Sequence, residues 1–168
     1  MNSAFFQNII RFILLILLQI VVFNNINFSG YINPYPYIVF LILYPVNANR
    51  YGLLIAGFLL GLTMDMFSDS GGIHSAACLV LGYFRPVAFK VAFGLSYEYQ
   101  TIKISKEPLL KQLVFVGLVV LFHHLVLFLL EAFSWALLGK ALLKVLFSGI
   151  ITLIFSLLII NLFSAQKK

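Results

Sequence analysis

Two groups of residues in this chain have the types and spacing to do chemistry. The first lies in "GLTMDMFSDSGGIHSAA", Gly61 to Ala77, where Asp65, Asp69 and His74 fall between two long apolar runs. Two carboxylates and an imidazole so close in sequence can ligate a cation. They can equally cap a helical hairpin, or present a polar turn to a partner. The second group is "HHLVLFLLE", in which His123, His124 and Glu131 interrupt an otherwise apolar run. His124 and Glu131 are seven residues apart and share a helical face, while His123 points elsewhere.

The elements that hold these residues follow from composition. Of 168 residues, 62% are hydrophobic and 10% are charged, against roughly half and a quarter in a soluble domain. Such a chain cannot cover a globule with water-compatible surface, so its apolar residues are expected to face lipid. The expected class is an all-α integral membrane protein, with the whole chain, residues 1–168, forming one polytopic domain.

Six apolar segments can be drawn, at about Phe5–Phe23, Pro34–Val46, Tyr51–Phe67, Gly72–Phe93, Leu109–Ala136 and Ala141–Phe163. A bilayer core of about 30 Å needs about 20 helical residues. The second segment is short and carries Pro34, Pro36 and Pro45, so it reads as a kinked span or as half of a re-entrant hairpin. The basic residues decide for spanning. With six spans, Arg11, Arg50, Arg85, Lys90, Lys103, Lys106, Lys111, Lys167 and Lys168 share one side, and Lys140 and Lys144 the other. That asymmetry predicts cytoplasmic N- and C-termini. The net charge of +6 is thus a topology signal, with no nucleic-acid partner implied. The first apolar run is too long for a signal-peptide core and has no A-x-A site after it, so it reads as a retained helix.

Within this frame, Gly57, Gly61 and Asp65 recur at i+4 on one face of the third helix. Small residues at that spacing admit a neighbouring helix. Asp65 falls about 22 Å along the helix from Arg50, near the outer boundary. Asp69 or Ser70 can cap the fourth helix, Gly71 and Gly72 supply the turn, and His74 enters the first turn. Gly57, Gly61, Asp65, Asp69, Gly72 and His74 are therefore the candidate partner-docking residues. His123 and His124 fall near the midplane, where ionisable groups are expensive. Neutral histidines hydrogen-bonded between helices are the expected state, with contact to another membrane protein or a proton pathway as alternatives. Trp135 reads as an interfacial anchor. Cys78, the only cysteine, reads as a packing residue. The loop Ser96–Pro108, with Lys103, Lys106, Glu98 and Glu107, can rest on anionic lipid or meet a cytosolic partner.

The chain has no Walker-type phosphate loop, zincin pair or nucleophile elbow. The expectation is a non-enzymatic protein with no catalytic residues, no cofactor and no metal.

The order of "LLQIVVF", "NFSGYINPYPYIVF" and "GFLLGLTMDMFSDSGGIHSAACLVLGYFRP" resembles the rod shape-determining MreD family, in its Bacteroidetes-type branch. The matching residues are Gln19, Pro34, Pro45, Gly57, Gly61, Leu62, Asp65, Gly72, Ala76, Arg85 and Pro86. The resemblance implies a compact bundle of six transmembrane helices in the bacterial inner membrane. It implies a subunit of the cell-elongation machinery that binds MreC and, through it, MreB and the RodA–PBP2 peptidoglycan synthase. The family is similar in fold to the S-components of energy-coupling-factor transporters, so a vitamin-binding transporter subunit is the alternative that the resemblance carries.

Overall fold

The computed structural model describes residues 3–26, 32–94 and 102–165. Ser96 to Thr101 of the loop, with Glu98, lie outside the described residues, as do Lys167 and Lys168. Six α-helices follow in order: α1 Ser3–Val21, α2 Val39–Leu43, α3 Arg50–Ser68, α4 Ile73–Phe93, α5 Leu109–Ala132 and α6 Leu138–Ala165. Neighbours in sequence from α3 to α6 pack on one another, and α2 is wedged against α1 and α6.

Among the described residues, five stretches are long and apolar enough to cross a membrane: Phe6–Asn25, Arg50–Ser68, Ile73–Phe93, Leu109–Ala132 and Trp135–Phe163. Their outward faces carry Ile13, Leu17, Ile55, Leu59, Val80, Leu146, Ile150 and Ile154 in exposed positions. An apolar exterior of this extent is stable against lipid and not against water. The architecture is compatible with a multi-pass membrane protein.

The expected second span is corrected as a helix of membrane length. Segment 34–46 contains only a 3₁₀ turn, Pro36–Ile38, and the five-residue α2. Five residues of α-helix reach about 8 Å, well short of a bilayer core. Tyr37, Ile38, Val39, Leu41 and Ile42 are completely buried. The segment is apolar because it fills the bundle, not because it meets lipid. It nevertheless carries the chain from one end of the bundle towards the other. Asn24, just after α1, lines the same cavity as Asp69 at the end of α3. Tyr44, just after α2, instead meets Arg85, three turns or about 16 Å along α4 from His74. The start of α1 and the end of α6 therefore share one end of the bundle.

The α3–α4 pair is the tightest joint. A Cβ on Gly61 would stand 2.5 Å from the carbonyl oxygen of His74 and 2.5 Å from Cα of Ser75. One on Gly57 would stand 3.3 Å from the carbonyl oxygen of Cys78. Only glycine lets the two backbones meet here. α5 also stops at Ala132, short of the expected Ala136, where Phe133 takes a left-handed conformation (φ 38°).

Candidate functional site

The site grows from a run of alternating prolines, "NPYPY", Asn33 to Tyr37. It is not helical until Pro36, yet it lies among helices, where every N–H needs a partner. Prolines at 34 and 36 remove two donors. The remaining three are met by side chains: Asn33 N–H donates to Ser148 Oγ (3.2 Å), Tyr35 N–H to Thr152 Oγ1 (2.9 Å) and Tyr37 N–H to Gln19 Oε1 (3.4 Å). Gln19 also donates to the Pro34 carbonyl at 3.1 Å and to Asn24 at 2.9 Å. Buried polar groups on α1 and α6 thus hold an irregular segment open inside the bundle.

This support places Tyr37 at the centre of a buried hydrogen-bonded row. Its phenol oxygen lies 2.8 Å from His74 Nδ1 and 2.9 Å from His123 Nε2. The phenol has one proton, so with both rings neutral one imidazole donates to it and the other accepts. Cys78 Sγ is 3.9 Å from the same oxygen. His123 Nδ1 has no hydrogen-bond partner and is sealed from solvent. The row therefore ends there.

His124 belongs to a second set. Its Nδ1 is 2.9 Å from the Val120 carbonyl, which can only accept, so Nδ1 carries the proton. Nε2 is then the acceptor, and the Thr152 hydroxyl donates to it at 3.1 Å. Thr152 links His124 on α5 to the backbone of Tyr35, and Tyr35 packs edge-on against both His74 and His124.

Asp65 closes the site from α3. Its Oδ1 accepts from Ser70 Oγ (2.5 Å) and His74 N–H (2.9 Å); its Oδ2 accepts from Ser75 N–H (2.9 Å) and Ser75 Oγ (2.5 Å). The two amides are orphan donors in the first turn of α4, so Asp65 is that helix's cap. This corrects the expectation that Asp69 or Ser70 caps it. Asp69 instead ends α3 in the left-handed region (φ 49°) with its side chain exposed, and Ser70 serves Asp65.

The expected docking residues separate accordingly. Gly57, Gly61 and Asp65 are buried and engaged by the chain's own α4. His74 is buried in the polar row, whereas Asp69 is exposed at the turn and Gly72 is partly so. Glu131 is exposed and pairs with Lys144 at 2.6 Å. It does not join His124. Arg85, read as a topology charge, is also corrected: its side chain is buried and donates to the carbonyls of Ile42 and Tyr44. It caps the C-terminal end of α2, where exposed carbonyls favour a cation.

Above the row, a cavity of about 560 Å³ opens at the end of the bundle that holds the α3–α4 turn. Its lining includes Asn24, Asn33, Tyr35, Asp69, His74 and Glu131, contributed by several elements. Ligand sites commonly span roughly 300–1,000 Å³. Tyr35, Tyr37, Thr152 and Ser148 were not singled out in the sequence. The alternating prolines before an apolar run were the available signal, since each Pro–X step demands an acceptor for the intervening N–H.

No family model, no curated protein and no solved structure matches this chain.

Proposed function

We propose that the chain is a non-enzymatic subunit of the bacterial inner-membrane elongation complex, binding MreC and helping to organise peptidoglycan synthesis. The observation that supports this most is that residues carrying the family resemblance make structural contacts with one another or with near neighbours of one another. Gln19 holds the Pro34 carbonyl; Gly61 admits the backbone of His74, two residues after Gly72; Arg85 grips the carbonyl of Tyr44, just before Pro45.

The packing changes where a partner would dock. Gly57, Gly61 and Asp65 serve the fold, which leaves the outward face of α3, with Ile55, Leu59, Leu62 and Met66, and the Asp69 turn. MreC is proposed to lie along that face. The test is a gentle-detergent pull-down of a tagged copy from its native membrane, followed by mass spectrometry. Recovery of a periplasmic coiled-coil protein with cell-wall synthases supports the reading. Loss of that recovery on Leu62→Arg, with membrane level unchanged, places the surface.

A second reading, an S-component of a vitamin transporter, is favoured by one observation: polar groups from several elements converge on a cavity open at one end. Recovery of paired ATPases with a coupling membrane subunit in the same pull-down would replace the first reading with this one.

A further inference from the structure

We infer that the cavity above His74 is a binding site for a small organic cation, one that presents an ammonium group to the rim and a hydrogen-bonding group to the floor. This goes beyond the scaffold reading and does not depend on which partner the chain has. Three observations carry it.

The first is charge. The whole chain has eleven Lys and Arg against five Asp and Glu. The cavity reverses that balance: among the described residues Asp69 and Glu131 line it, and no Lys or Arg does. Lys144 pairs with Glu131 from outside the lining, so Asp69 keeps its charge undivided and the rim remains net acidic. Among the described residues the lining gives an anion no cation to pair with, while an acidic rim concentrates cations.

The second is the floor. His74 is 96% buried, which is the complement of its 4% exposure. Its Nδ1 is turned inward to Tyr37. Nε2, the other ring nitrogen, has no hydrogen-bond partner among the described residues, and His74 lines the cavity. Asp65 fixes the backbone of His74, and Tyr37 fixes its ring. One nitrogen of this fixed ring is thus unengaged among the described residues, whereas both nitrogens of His124 are engaged.

The third is the wall. Tyr35 is clamped through its backbone by Thr152 and packs edge-on to His74 and His124. It gives the cavity an aromatic side chain of fixed position, which suits an alkylammonium group. Asn24 and Asn33 add neutral polar groups.

The test uses the full chain in lipid nanodiscs at low salt, with ligand-observed NMR. The probes are choline, tyramine and agmatine. 3,3-Dimethylbutanol and 2-(4-hydroxyphenyl)ethanol serve as neutral counterparts of the first two. At least one cation is expected to bind ten-fold or more tightly than its neutral counterpart, with agmatine judged by its response to the variants. Asp69→Asn combined with Glu131→Gln is expected to weaken that binding ten-fold or more. Both side chains are exposed, and Asn tolerates the left-handed backbone at position 69. His74→Gln is expected to lower affinity while leaving the charge preference. Binding of neither cations nor neutral probes, equal binding of both, or cation binding indifferent to the rim variants overturns the inference. Binding of riboflavin or biotin without any cation also overturns it, while leaving the transporter reading standing.

Discussion

The carboxylate of Asp65 and the backbone N–H of His74 lie 2.9 Å apart, so α3 supplies the cap for α4. Four hydrogen bonds converge on that one side chain, two of them from hydroxyls. Asp65→Ala is expected to destabilise the protein by about 2 kcal/mol or more, from the lost cap and the orphaned amides. Asp65→Asn, which keeps the shape and part of the bonding, should lose less. Thermal unfolding in detergent measures both, and an unchanged midpoint for the alanine variant would remove the capping role.

Gly61 should tolerate nothing larger. Because a Cβ there would meet backbone atoms at 2.5 Å, no rotamer change relieves the clash, and Gly61→Ala must part α3 from α4. The sequence alone suggests that Gly61→Leu abolishes a partner contact while leaving insertion intact; the packing predicts loss of the fold's own joint first. Cys78, completely buried and the only cysteine, reports on this directly. Its alkylation by a maleimide should be slow in the native chain and fast in Gly61→Ala. Gly117, with open space around it, provides the control: Gly117→Ala should leave the rate unchanged.

Tyr37→Phe removes the only side-chain hydrogen-bond partner that His123 has among the described residues, and the inward partner of His74. Leaving buried polar groups unsatisfied costs about 1–3 kcal/mol. The same alkylation assay should show faster labelling, helped by the loss of the phenol beside Cys78. Labelling at the native rate would mean that the polar row adds nothing to stability.

Arg85 holds two carbonyls at the end of α2. Lys keeps the charge and loses the planar fork. Arg85→Lys is expected to lower stability by about 1 kcal/mol, with Arg85→Ala lower still. If Arg85 acted only as a topology charge, the lysine variant would match the native protein in unfolding midpoint.

The crossing made by residues 32–49 can be read from labelling. In a Cys78→Ser background, Asp69→Cys and Asn47→Cys sit in exposed turns at opposite ends of the bundle. A membrane-impermeant maleimide should modify one from each face of sealed vesicles. Modification of both from the same face would mean that the buried segment returns to the end it left.

The all-helical architecture with membrane-length apolar helices was legible from residues alone, because long apolar runs in so apolar a chain favour helices whose outward faces stay apolar. The helical segments were legible as well, to within a few residues, apart from segment 34–46. That segment read as a span because hydropathy measures aversion to water and does not distinguish lipid from protein interior. Tyr37 and Ile42 are buried by neighbours, not by a bilayer. Likewise the i+4 glycines announced a close helix approach, but not that the approaching helix was α4 of the same chain.

The site divides in the same way. Asp65, His74, His123 and His124 stand out in sequence because polar residues are rare there. Their roles depend on partners far along the chain: Tyr37 with His74 and His123, Thr152 with His124 and Tyr35. Composition and local spacing determined that polar groups would be held within an apolar bundle. Only the tertiary structure decided which would satisfy one another and which, like Nε2 of His74, would be left without a partner among the described residues. Hydrogen bonds need atoms within about 3 Å in space, and sequence distance does not specify that for residues joined through different helices.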